Sequence, residues 1–245
     1  MRMYPISSHH IIPIQNAQQV FHDCYLVASL GALSRNIKGR KILENNISHN
    51  DKFFSIKFEN VYGRQESYTV TKQAINNMML CKSPKGEKNK LGETTPQIIK
   101  AVELAMNRLL QKHPFKKPFI YRLMAHQQDF EYNKPSRFLN MFTGKKPLTL
   151  NEGGIIMSLF EKQKKAMKLL NEIEKDDGAI FVAGTGINFW GGLPSWHCYT
   201  VKNVSIKKNK ITLFDHKENR EIKLSIQNAL HQLKFFTGYF SKDLI

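Results

Sequence analysis

The stretch Gln18-Gln19-Val20-Phe21-His22-Asp23-Cys24-Tyr25-Leu26 sets a cysteine at the head of an apolar run. Leu26, Val27, Leu30, Gly31 and Leu33 recur at helical spacing, so a helix is expected over Cys24–Arg35, with Asp23 as its N-cap. A thiol in a first helical turn faces unpaired N–H groups and the positive end of the helix dipole, which favour the thiolate. Gln18, six residues upstream, can bring its amide to the same point and donate to an oxyanion together with the Cys24 N–H. A free cysteine is more often a small buried hydrophobe, so the chemistry depends on a base. Among nine histidines, His197 is the best placed: Ser195-Trp196-His197 follows the glycine-rich 184–194 stretch and opens a strand. Asp215 ends the next strand, Ile211–Phe214, so an antiparallel pair can set it beside His197 as the group that orients the imidazole. It can also be read as a turn residue with His216 and Asn219.

The elements that must hold these groups are legible in outline. Phe54, Ile56 and Phe58 alternate with polar residues, as do Tyr68 and Val70, which predicts two strands joined at Tyr62-Gly63. Ser83–Lys90 reads as a loop, and Thr94-Thr95-Pro96 opens a helix whose apolar face is Ile98, Val102, Ala105 and Leu109. Pro114–Leu150 carries four prolines and reads as loop-rich. Ile156, Leu159, Phe160, Met167, Leu170 and Ile173 mark a long amphipathic helix ended by Asp177-Gly178. Strands follow at Ala179–Gly184, His197–Ile206 and Lys210–Asp215, then a last helix from about Ser225 to Phe236. A helical half with a hairpin, followed by a strand-rich half, argues α+β.

Composition narrows the function classes. With 245 residues and 41% hydrophobic residues, the chain can build one large domain or two lobes around a cleft. No apolar run approaches the ~20 residues of a membrane span, and Pro5 and Pro13 interrupt a start that has no signal-peptide pattern. Three cysteines, Cys24, Cys81 and Cys198, make no disulfide framework and suit a reducing compartment. The net charge of +17 comes from 29 Lys and only 8 Arg, dispersed in pairs such as Lys116-Lys117. That pattern speaks against nucleic acid and for a solvated surface, or for docking on an acidic protein or an anionic membrane surface. No second spaced pair of ligands completes a metal site with His9, His10, His22 or Cys24, and the glycines lack a dinucleotide or P-loop pattern. No metal and no cofactor is expected.

Gln18 with Asp23-Cys24-Tyr25-Leu26 resembles the active-site helix of the calpain-like cysteine peptidases, members of the papain-like group, with Tyr25 at the usual tryptophan. Phe142-Thr143-Gly144 is similar to that family's Phe-Thr-Gly motif, and Glu93–Leu110 to the helix before it. His197-Cys198-Tyr199-Thr200-Val201 is similar to its His-Ala-Tyr-Ser-Val. The resemblance runs from about residue 18 to the C-terminus. His22 stands where the family has glycine, and Asp215-His216-Lys217 where it has Asn-Pro-Trp. Aspartate keeps an acceptor for the imidazole N–H and adds a charge that favours a thiolate–imidazolium pair. No EF-hand loop is recognisable, so calcium activation is not carried over.

What the resemblance implies is a papain-like two-lobed fold: an irregular segment 1–17, a helical lobe of about 18–150 and a strand-rich lobe of about 151–245. Its catalytic residues would be Cys24, His197 and Asp215, with Gln18 in the oxyanion hole. The implied activity is thiol-dependent hydrolysis of amide bonds in a protein or peptide substrate. The same set would serve deamidation or amine transfer; a non-enzymatic basic binding protein on the same scaffold is the rival from another class. Stand-alone bacterial peptidases of this type suggest action in the cytoplasm or, as an effector, inside a host cell. Cys198, one residue after His197 on a strand of period two, is expected to point away from it.

Overall fold

The computed structural model describes residues 3–7, 11, 14–15, 24–60, 62–78, 97–112, 134–150, 159–186 and 192–244. Gln18, Gln19, Asp23, Cys81, Trp190, the loop Ser83–Lys90 and the Thr94-Thr95-Pro96 cap lie outside them. The fold is a mixture of helices and antiparallel sheet, the α+β class expected. Its described helices are α1 (Cys24–Ser34), α2 (Ile37–Asn46), α3 (Lys72–Met78), α4 (Gln97–Lys112), α5 (Pro135–Thr143), α6 (Leu159–Glu174) and α7 (Ile226–Gln232). Strands β1 (Tyr4–Pro5), β2 (Ile47–His49), β3 (Phe53–Glu59) and β4 (Gln65–Thr71) form one antiparallel sheet in sequence order. Strands β5 (Leu148–Leu150), β6 (Ile180–Thr185), β7 (Cys198–Ser205), β8 (Lys210–Asp215), β9 (Arg220–Ser225) and β10 (Leu233–Tyr239) form a second, ordered β5-β10-β6-β7-β8-β9.

Helix α1 lies at the centre. Every residue from Tyr25 to Ser34 is buried, so the helix is enclosed on all sides rather than amphipathic. Its neighbours are α2, α5, β6 and β7, and its leucines share one core with Ile56, Phe58, Val102, Phe138, Phe142, Ile180 and Val182. Burying each such side chain stabilises by about 1.5–3 kcal/mol. A second core, with Leu170, Ile173, Phe181, Tyr199, Leu213 and Phe236, lies between α6 and the opposite face of the six-stranded sheet. That sheet is therefore covered on both faces, which explains why β6 is buried along its whole length.

Backbone approach decides one position in α1. A methyl group at Gly31 would sit 2.5 Å from Nε2 of His216, which follows β8, and 2.9 Å from Oγ1 of Thr200 on β7. Alanine would gain about 1 kcal/mol in helix propensity, yet overpacking here should cost about 1–3 kcal/mol. Gly31→Ala is thus expected to lower the urea-unfolding midpoint; a raised midpoint would show that the contact gives way.

Several expectations meet their structural counterparts. The β3–β4 hairpin pairs Phe54 with Val70 and Ile56 with Tyr68, and turns through Gly63 at φ 73°. Gly39 lies past the end of α1, inside α2, which opens on Asn36, whose side chain accepts from the Gly39 N–H. The loop-rich Pro114–Leu150 stretch contains α5, started by Pro135 and stopped by Gly144 in the left-handed conformation (φ 70°). The Phe142-Thr143-Gly144 motif thereby acquires a physical role. Phe142 packs against Phe138 with ring centroids 5.3 Å apart, while the Thr143 hydroxyl meets the Tyr239 hydroxyl at 2.8 Å and ties α5 to β10.

The expected last helix is shorter than read. It runs from Ile226 to Gln232, capped by Ser225, whose hydroxyl accepts from the Asn228 N–H. The Leu233–Tyr239 segment is the strand β10, paired with both β5 and β6. Its aromatic residues fit a half-buried pleated surface better than a helix tail. Because β5 joins β10, the six-stranded sheet already includes residues 148–150.

Candidate active site

Cys24 is the first residue of α1, and the rigid burial of the ten residues after it fixes where its side chain emerges. It is half-buried, while Cys198 is buried. The six-stranded sheet brings the remaining groups to it. Strand β7 pairs Thr200 with Phe214 of β8; three residues before Thr200, the His197 ring reaches Asp215 diagonally, Nε2 to Oδ1 2.9 Å. Both are almost fully enclosed, with side chains 7% and 1% exposed. The Asp215 Oδ1 also accepts from the N–H groups of Lys217 (2.9 Å) and Glu218 (3.3 Å). Asp215 is therefore the turn residue and the imidazole's partner at once: the turn fixes the carboxylate that holds the ring. With Nε2 on Asp215, Nδ1 is the nitrogen left to face Cys24.

Three contacts surround the Cys24 sulfur. The thiol donates to the Trp196 carbonyl oxygen at 3.9 Å, and Cys198 and His197 both act on its charge. The hydrogen bond from Cys198, more than offsetting burial, together with the hydrogen bond and charge of His197, holds the Cys24 thiol well below its ordinary range. Burial works against a charged His197, but its hydrogen bonds to Asp215 and Cys24 and their negative charges raise it to about 9. Burial also opposes the Asp215 carboxylate, which the His197 hydrogen bond and charge and the two backbone N–H groups nevertheless keep below its usual range. All three directions favour one charge state, a thiolate beside an imidazolium braced by a carboxylate.

Two further residues, to which the sequence assigns no role at the site, support it. Thr185, at the end of β6, is one: its hydroxyl donates to the Pro194 carbonyl (2.6 Å) and accepts from the His197 N–H (3.0 Å). Its own N–H bonds the His197 carbonyl at 2.9 Å. It pins the chain on both sides of Trp196, whose φ of 55° and 66% exposure set its ring in solvent. A threonine closing a fully buried strand before a glycine-rich stretch is the trace it leaves in the sequence. The other is Cys198, whose position after His197 was read only as pointing away from it. Cys198 and Thr200 alternate onto the face of β7 that meets α1, where the Thr200 hydroxyl donates to the Ala28 carbonyl (2.7 Å) and lies 2.9 Å from Nε2 of His216, just past β8.

The structure thus brings Cys24, His197 and Asp215 together, while Gln18 falls outside the described residues. Tyr25 is buried behind the cysteine at 2% exposure. Among the described residues, no group of three His, Cys, Asp or Glu side chains converges as metal ligands, and no helix is long and apolar enough to cross a membrane. Compared with protein-family models and with curated proteins, the chain matches none.

Proposed function

We propose that the protein is a cysteine peptidase of the calpain-like, papain-like type, with the cleft between its two lobes as the substrate site. The observation that carries this reading is the cluster at the head of α1: the Cys24 sulfur against the carbonyl of Trp196, the residue before His197, and the His197 ring hydrogen-bonded to Asp215. A buried structural cysteine needs neither a charged base nor a carboxylate behind that base, so the arrangement also argues against a purely binding role.

The thiolate of Cys24 attacks an amide carbonyl carbon. The oxyanion forms at the N-terminus of α1, where the Cys24 N–H has no intrahelical partner, and the Gln18 amide is the second donor. His197 gives its Nδ1 proton to the departing amine, leaving a thioester. It then takes a proton from water, whose attack releases the acid and restores the thiolate. Throughout, Asp215 holds the ring in the tautomer that points Nδ1 at sulfur. The same steps with an amine in place of water would transfer the acyl group instead.

An electrophilic peptide-like probe at neutral pH provides the test. Stoichiometric labelling of Cys24, lost in a folded His197→Ala variant, is the expected result. Labelling at an equal rate without His197 would show an ordinary exposed thiol and remove the base from the scheme.

A further inference from the structure

The contact between α1 and β7 sets two thiols against each other. Thr200 Oγ1 donates to the Ala28 carbonyl, which pins one point of the strand to one point of the helix. Two residues back along β7 is Cys198, on the same strand face; four residues back along α1 is Cys24, on the same helix face. The two steps match in length, about 6.6 Å along a strand and about 6 Å along a helix. Cys198 therefore lies over Cys24 as Thr200 lies over Ala28, and the Cys24 sulfur is 3.9 Å from the carbonyl oxygen of Trp196, two residues before Cys198. The exposures differ in a useful sense: Cys24 is half-buried and reachable, whereas Cys198 is 7% exposed beneath it.

We propose that Cys198 is a resolving cysteine, and that hydroperoxides switch the site off reversibly by joining Cys24 and Cys198 in a disulfide. The Cys24 thiolate attacks the outer oxygen of a hydroperoxide; the O–O bond breaks, an alcohol or water leaves, and Cys24 becomes a sulfenic acid. The Cys198 sulfur then attacks the Cys24 sulfur, the S–O bond breaks, and the Cys198 proton leaves with the hydroxide as water. In sum, two thiols and one hydroperoxide give one disulfide, one alcohol and one water. A dithiol reverses it. Joining them requires the two sulfurs to close to about 2.05 Å. The same charges that favour the Cys24 thiolate favour the first step. This disulfide also spares the nucleophile from irreversible oxidation to the sulfinic acid.

The inference rests on the reading of Cys24 as a thiolate nucleophile, but its test does not require turnover. The reduced protein is treated with a several-fold molar excess of hydrogen peroxide, which supplies the second equivalent that a sulfinic acid needs, remaining thiols are blocked, and tryptic peptides are mapped without reduction. The expected result is a Cys24–Cys198 linked peptide, with Cys81 still free. Probe labelling of Cys24 should fall by about tenfold or more relative to the untreated protein and return with dithiothreitol. In Cys198→Ser and Cys198→Ala, peroxide should instead drive Cys24 to the sulfinic acid, with no recovery. Absence of the linked peptide, a link to Cys81, or full dithiothreitol recovery in the Cys198 variants would overturn the proposal. Hydrolysis by the untreated reduced protein is scored separately: a linked peptide in a protein that cleaves nothing defeats the peptidase reading alone.

Discussion

Cys24→Ala should abolish turnover, by a factor on the order of 10⁴–10⁶, while the protein keeps its fold. The loss is large because the other described cysteine, Cys198, is buried whereas Cys24 is half-buried. The fold should survive because α1 is held by the ten buried residues that follow, not by the residue at its tip. The unfolding free energy should change by no more than about 1 kcal/mol, as for a substitution that opens no core cavity. Steady-state cleavage of a peptide substrate and a urea-unfolding curve on the same preparation check both halves. Cys198→Ala is the informative companion. It removes the neighbour that does most to lower the Cys24 thiol, so the labelling rate should fall at acidic pH, yet the nucleophile remains. If Cys198→Ala were as inactive as Cys24→Ala, the assignment of the nucleophile would be wrong.

What the sequence made legible, and what it hid, follows the range of the interactions concerned. The head of α1 and the β3–β4 hairpin could be read because their signals are local: apolar periodicity in one, strict alternation in the other. The juxtaposition of His197 and Asp215 was also within reach, since two strands close in sequence and joined as neighbours limit the register to a few choices. By contrast, β10 was absorbed into the preceding helix. Its identity as a strand is set by β5 and β6, which lie far away in the sequence. The Thr185 clamp and the contact of Cys198 with Cys24 were hidden for the same reason, as both depend on how a helix and a sheet meet. Period two does place Cys198 on the face opposite His197. What the alternation could not reveal is that α1 occupies that other face, so pointing away from the base means pointing toward the nucleophile. Gln18 was legible as a candidate, and its geometry lies outside the described residues.

Asp215→Ala should lower turnover by about 10²–10⁴, and Asp215→Asn should retain substantially more. Alanine removes the acceptor of the His197 Nε2 proton and of two backbone N–H groups at once, inside a pocket where the carboxylate is 1% exposed. The ring would be free to swing or to adopt the tautomer whose proton faces sulfur. Asparagine keeps an oxygen for Nε2 and for the turn, but not the charge. That difference has a readable sign. In the wild-type protein the imidazolium persists up to about pH 9, because the hydrogen bonds and charges of Asp215 and Cys24 outweigh its burial. The thiolate forms well below the usual cysteine range. Activity should therefore rise on the acid side as Cys24 loses its proton and fall near pH 9 as His197 loses its own, both steps belonging to the coupled pair. Taking the negative charge away from Asp215 removes one of the forces that raise His197, so in Asp215→Asn the alkaline limb should move to lower pH. A purely structural role for Asp215 would lower the amplitude of the profile without moving that limb. Cleavage measured from pH 5 to pH 10 in the wild type and both variants separates the two, and an unshifted alkaline limb in a folded, active Asp215→Asn protein would falsify the charge argument.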